Sequence, residues 1–168
     1  MISAIEKTAY HEAGHAMAFM VLKTRFSKVS IVPDDESLGR VTNDLPDSFF
    51  DEDLNANRQR SLYEKHILIS LAGGLAEMKL TGVENTDGNA VDNSSVVELA
   101  SRVTDSVAET EAYILWLQER AKNMVDNPWN WIAVEALAAA LLHSKTLSAR
   151  KAREIMKQAR REQVQQRG

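Results

Sequence analysis

The sequence contains no cysteine. That excludes disulfides, a thiol nucleophile and cysteine-ligated zinc, so any metal held by this chain needs His, Asp or Glu. The redox compartment stays open. Long apolar runs are missing too: the longest nearly apolar stretch, WIAVEALAAALL, contains Glu135 and falls short of the roughly 20 residues that span a bilayer. The N-terminus lacks the basic-then-apolar order of a signal peptide, and we expect a soluble, cytoplasmic chain with no membrane partner. A GxxxxGK(S/T) phosphate loop does not occur. Repeats, low-complexity tracts and long linkers are also absent. The 168 residues therefore read as one domain, 1–168, at a length where folding buries roughly 70% of the unfolded chain's surface.

Composition and a formal net charge of −4 name no function, but the charge is uneven. Residues 34–53 hold eight acids against Arg40, a net of −7, and Ser148 to the end holds seven bases against Glu154 and Glu162, a net of +5. Both read as solvated faces.

Helical signals dominate. Ser3 with Glu6 forms a capping-box pattern, and Ile5, Ala9, Ala13, Ala16, Met17 and Met20 recur at helical spacing, predicting a helix from about Ala4 to Leu22. Two short strands are predicted near Val29–Val32 and Gly39–Thr42, paired as an antiparallel ribbon. DLPDSFFDEDLN reads as a loop, with at most one helical turn. A second helix is expected over about Asn57–Leu80, ended by Gly82. The two glycines in its LAGG stretch mark close backbone approach to another helix, for which the first helix, with its own Gly14, is the natural partner. An amphipathic segment from about Asn93 to Val125 is expected to break near Val107–Thr110. Asn127 followed by Pro128 starts an apolar helix over Trp129–Leu142, and Ser148 caps a last helix to about Gln163.

The chemistry-bearing stretch is HEAGH, residues 11–15. On a helix, His11 and His15 share a face and can present ring nitrogens to one ion about 2.0–2.1 Å away. Glu12, one step round, can reach a metal-activated water without being a ligand. The competing reading is a pair of hydrogen-bonded surface histidines. A catalytic zinc site wants a third protein ligand. The candidates are His66, which reads as a core or boundary histidine, His143 at a helix C-terminus, Glu77 beside LAGG, and Asp92 after the loop containing Gly88. Spacing leaves the choice open.

HEAGHA, then VSIVP and LGRVT, then LAGGLAE, then TDGNAVD followed by ELA, occur in the order that resembles the peptidase domain of the FtsH-type AAA+ zinc metalloproteases. LAAALLHSKTLSARKAREIM is similar to that family's closing helices, so the resemblance covers nearly the whole chain. It implies a Zn²⁺ cofactor with His11, His15 and Asp92 as metal ligands, Asp92 lying four residues after Gly88 as the family pattern requires. Glu12 becomes the catalytic carboxylate, and Glu77 takes a supporting or structural role. Three departures stand out: Val91 where asparagine is usual, Gly74 where arginine is usual, and PDD in place of proline, a basic residue and glycine. They fall on substrate-loop and oligomer-contact positions more than on the zinc ligands.

The sequence thus leads to a mainly α fold, a single helical metallopeptidase domain with a short antiparallel β-ribbon next to the HExxH helix. The function expected is a zinc-dependent endopeptidase acting on unfolded or flexible polypeptide, ATP-independent by itself or fed by a separate ATPase. A monomer or small oligomer with no nucleic-acid partner is expected. One alternative is a regulatory zinc protease that cuts a specific transcription factor or repressor; another is a non-catalytic zinc-stabilised adaptor, against which the retained Glu12 argues.

Overall fold

The computed structural model describes residues 2–33, 38–42, 56–85 and 90–167. The acidic segment lies largely outside them, as do the DLPDSFFDEDLN loop and Gly88. In chain order the elements are α1 (Ala4–Val21), β1 (Lys28–Ser30), β2 (Arg40–Thr42), α2 (Ala56–Thr81), α3 (Ala90–Ser101), α4 (Val107–Asp126), α5 (Pro128–Ser144), β3 (Thr146–Ser148) and α6 (Ala149–Arg167). The fold is mainly α, as expected. Among the described residues, no helix is long and apolar enough to cross a membrane.

α1 is the central helix. Ser3 opens it, its hydroxyl accepting from the Glu6 N–H at 3.3 Å, and Ala9, Ala13, Ala16, Met17 and Phe19 are buried along it. They pack with Ala72 and Ala76 of α2, Val134, Leu137 and Leu141 of α5, Met156 of α6 and Val29 of β1. A second core joins Ile67, Leu68 and Leu71 of α2 to Val96 and Ala100 of α3 and Leu117 and Ala121 of α4. α2 therefore lies between two apolar layers. The close approach foreseen for Gly14 is present: a Cβ there would lie 2.5 Å from the Ala72 carbonyl oxygen.

The expected antiparallel ribbon of β1 and β2 is present, and a third strand extends it: among the described residues the sheet has three antiparallel strands in the order β2-β1-β3, with Val29 opposite Val41 on one side and Leu147 on the other. The added strand, TLS, is too short to show alternation. Its partner is supplied by the tertiary fold, after Lys145 leaves α5 in the left-handed region (φ 61°) and its carbonyl accepts from the Ile31 N–H at 2.9 Å. Ser148 also caps α6, its hydroxyl accepting from the Lys151 N–H at 3.3 Å.

The break in the long amphipathic segment comes earlier than expected. α3 ends at Ser101 and α4 begins at Val107. Two caps make that boundary: the N-cap Ser106 accepts from the Glu109 N–H at 3.2 Å, while Glu109 reaches back to accept from the N–H of Asp105, the residue before the cap, at 2.8 Å. Asn127 caps α5 through the Trp129 and Asn130 N–H groups, ahead of Pro128, as predicted.

Candidate metal centre

Three polar side chains converge where α1, α2 and the start of α3 meet. His11 and His15 lie one turn apart on α1, and Asp92 is in the first turn of α3, where the helix N-terminus favours a carboxylate. The Nε2 atoms of His11 and His15 are 2.9 Å apart, and Asp92 Oδ2 lies 3.1 Å from the first and 3.3 Å from the second. In a tetrahedral zinc site with bonds of about 2.0–2.1 Å, ligand atoms are separated by about 3.3 Å. The donor triangle, with edges of 2.9–3.3 Å, comes close to that size. Among the described residues it is the one His/Asp/Glu cluster able to hold an ion.

The remaining ring nitrogens orient the imidazoles. His15 Nδ1 lies 2.7 Å from the Ile69 carbonyl oxygen, so Nδ1 carries the proton and Nε2 is turned toward the triangle. Room for that ring exists because residue 73 is glycine: a Cβ there would fall 2.3 Å from His15 Nε2. LAGG thus serves close approach twice, to the α1 backbone through Ala72 and to the His15 ring at Gly73. His11 Nδ1 lies 3.4 Å from Glu77 Oε2. Glu77 is therefore on the far side of the His11 ring from the triangle, which leaves the third corner to Asp92.

The electrostatics match a cation site. Burial works against charge on His11, but contacts with Asp92 and Glu77 outweigh it and raise the ring pKa to about 10. Burial likewise opposes protonation of His15, and Asp92 reverses the sign, leaving that ring raised as well. For Asp92, burial alone would raise the carboxyl, yet the two histidines hold it well below the usual carboxylate range. Glu77 is lowered, chiefly by its contact with His11.

Glu12 is in a different state. It is 5% exposed, and burial pushes its pKa up while the nearby histidines pull it down. The Val41 N–H on β2 donates to its carboxylate, and Gly39 lets the strand come close, since a Cβ there would lie 2.9 Å from Glu12 Cγ. Glu12 Oε2 has no hydrogen-bond partner among the described residues. A buried carboxylate oxygen left unsatisfied beside a donor triangle is suited to receive a proton from a water held there.

The spare histidines stand apart from this cluster. His66 is buried in α2 with its ring edge toward Phe19, 6.4 Å between centroids, and burial pushes its pKa down to about 4. His143 sits in the last turn of α5. Several contributors escaped the sequence reading. The Ile69 carbonyl and the Val41 N–H are backbone groups whose action does not depend on residue identity. Asn85, whose Nδ2 donates to Glu77 Oε1 at 3.0 Å, reaches it only because the chain turns back after α2.

Comparison with known proteins adds an independent finding. The sequence model of Peptidase family M41 matches residues 2–108. The ATP-dependent zinc metalloprotease FtsH 1 of Rhodopirellula baltica is 37% identical over 100 residues, covering 58% of this chain and 14% of that protein. The ATP-dependent zinc metalloprotease FTSH 11, chloroplastic/mitochondrial, of Arabidopsis thaliana is 27% identical over 156 residues, covering 88% of this chain and 18% of that protein. The chain thus spans less than a fifth of the length of either relative.

Proposed function

This chain belongs to peptidase family M41 as an FtsH-type peptidase domain, and from that premise we propose that it is a zinc-dependent endopeptidase whose metal is held by His11, His15 and Asp92. The observation that carries the reading is the pairing of a ligand-sized donor triangle with the buried, half-satisfied carboxylate of Glu12. Zinc bound there would polarise the scissile carbonyl as a Lewis acid and make water a nucleophile near neutral pH.

The chain's own residues do the rest. The Ile69 carbonyl and Glu77 hold the two imidazoles with Nε2 facing the metal position. Glu12, fixed at one oxygen by the Val41 N–H, takes the water proton on the other and returns it to the leaving amine. Among the described residues β2 is an outer strand of the sheet, and we assign to it an extended substrate bound by strand addition, in which main-chain hydrogen bonds set direction and side chains set preference. Strand addition needs an extended chain, so the substrate we assign to this domain is a polypeptide already unfolded or flexible; a folded one needs an unfolding ATPase acting on it first.

The test is a casein digest. The purified 168-residue protein should cut casein without ATP, lose activity to a zinc chelator and regain it with added Zn²⁺. A zinc-loaded protein that cuts neither casein nor any protein in a proteome-wide screen would favour the adaptor; cleavage of one transcription factor with casein untouched would favour the regulatory protease.

A further inference from the structure

The loop that leaves α2 folds back on that helix. Gly82 ends it with φ +75°, and the Thr81 hydroxyl ties the turn, lying 2.9 Å from both the Glu77 and Val83 carbonyl oxygens and accepting from the Val83 N–H at 3.2 Å. That turn brings Asn85 beside Glu77, eight residues earlier in the chain. Asn85 Nδ2 donates to Glu77 Oε1 at 3.0 Å, and the other oxygen, Oε2, lies 3.4 Å from His11 Nδ1. The two carboxylate oxygens are thereby given separate tasks.

The neighbourhood offers Glu77 a competing orientation. An open cavity of about 440 Å³ lies against it, lined by Lys7, Thr81, Val83, Glu84 and Asn85 as well as Glu77 itself. Lys7 acts electrostatically on Glu77. Without a donor at residue 85, the carboxylate is free to turn toward that cation and to water, and away from the imidazole. Asn85 lies seven residues before Asp92 in the sequence.

We propose that Asn85 is a positioning residue of the metal centre: it holds the Glu77 carboxylate against His11 Nδ1 and so sets the ring orientation and tautomer in which His11 Nε2 faces the ion. The proposal rests on the reading of His11, His15 and Asp92 as the zinc ligands. Groups of this kind, once removed from the ligand, alter metal affinity by about 10–100-fold, and the effect expected at Asn85, one contact further out, is about tenfold.

The experiment compares wild type with Asn85→Leu, Asn85→Asp and Asn85→Gln. Zn²⁺ affinity is measured by competition with a chromogenic chelator, the Co²⁺-loaded protein by its visible spectrum, and the Zn²⁺-loaded protein by the His11 Nδ1–H proton resonance. Melting of the metal-free forms reports on the fold. Asn85→Leu should bind Zn²⁺ about tenfold more weakly, shift the Co²⁺ bands and broaden or lose the His11 Nδ1–H signal, with melting close to wild type. Asn85→Asp keeps size and polarity but places a second carboxylate against Glu77, and should be at least as impaired. Asn85→Gln, which keeps the amide donor, should recover part of the affinity and of the proton signal. Equal affinity and an unchanged spectrum and proton signal in Asn85→Leu and Asn85→Asp overturn the proposal and leave the ligand assignment standing. A wild type that takes up no Zn²⁺ overturns the ligand assignment, and the proposal with it.

Discussion

Gly73 is the residue with the least room in the site, because any side chain there would occupy the space of the His15 imidazole. Gly73→Ala should therefore displace that ring and weaken Zn²⁺ binding by roughly tenfold or more. Asp92→Ala should remove the metal outright, since a three-ligand site loses its closure with any one ligand. Elemental analysis after dialysis checks both, and full zinc retention in Asp92→Ala would move the third ligand elsewhere.

A second residue-scale prediction concerns protons. With its pKa raised to about 10, the His11 ring carries a proton at pH 8, and this proton must leave before Nε2 can ligate. Zinc uptake at pH 8 should release about one proton or more, and affinity should climb as pH rises toward 10. Calorimetry in two buffers of different ionisation heat measures the release; binding without proton release would contradict it. That His11 and His15 come together was legible from spacing, because i and i+4 share a face on any helix, whereas their reading as zinc ligands, with Glu12 as the catalytic carboxylate, rested on the family resemblance. Asp92 needed the family resemblance. Asn85, Ile69 and Val41 were not legible, since they act through a loop's return path or through backbone atoms.

At the scale of elements, α2 carries both a device for the site and a liability for stability. His66 lies buried in it at a folded-state pKa of about 4, below the roughly 6.5 of an unfolded histidine. Between those values the unfolded chain binds the extra proton, so stability rises with pH across the window and is lost as pH falls from about 6.5 to about 4. Urea unfolding of wild type and His66→Leu at pH 7 and pH 5 should show wild type losing more on acidification; parallel losses would place the acid sensitivity elsewhere. Helix existence was legible from apolar periodicity and from caps such as Ser3 and Asn127. The α3–α4 boundary falls earlier than apolar periodicity predicts because local hydrogen bonds of Ser106 and Glu109, not the period, set it. β3 was missed for another reason: three residues hold no period, and their pairing with β1 is decided by where α5 ends.

For the whole molecule, two apolar layers on either side of α2 suffice to place α1, α2 and α3 so that their polar residues meet. Two positions the family resemblance associates with oligomer contacts and the substrate loop are altered, to Gly74 and Val91. Light scattering should report a monomer or small oligomer, whereas a stable hexamer would contradict that expectation and point to a ring built by the peptidase domain alone. The central claim is tested most directly by Glu12→Gln, assayed for zinc content and casein cleavage in the same preparation. The substitution keeps the size of the side chain and leaves His11, His15 and Asp92 untouched, but an amide cannot accept the water proton. The account predicts zinc content and melting near wild type, with cleavage reduced by about 10²- to 10⁴-fold; a Glu12→Gln protein that cuts casein as fast as wild type would contradict it.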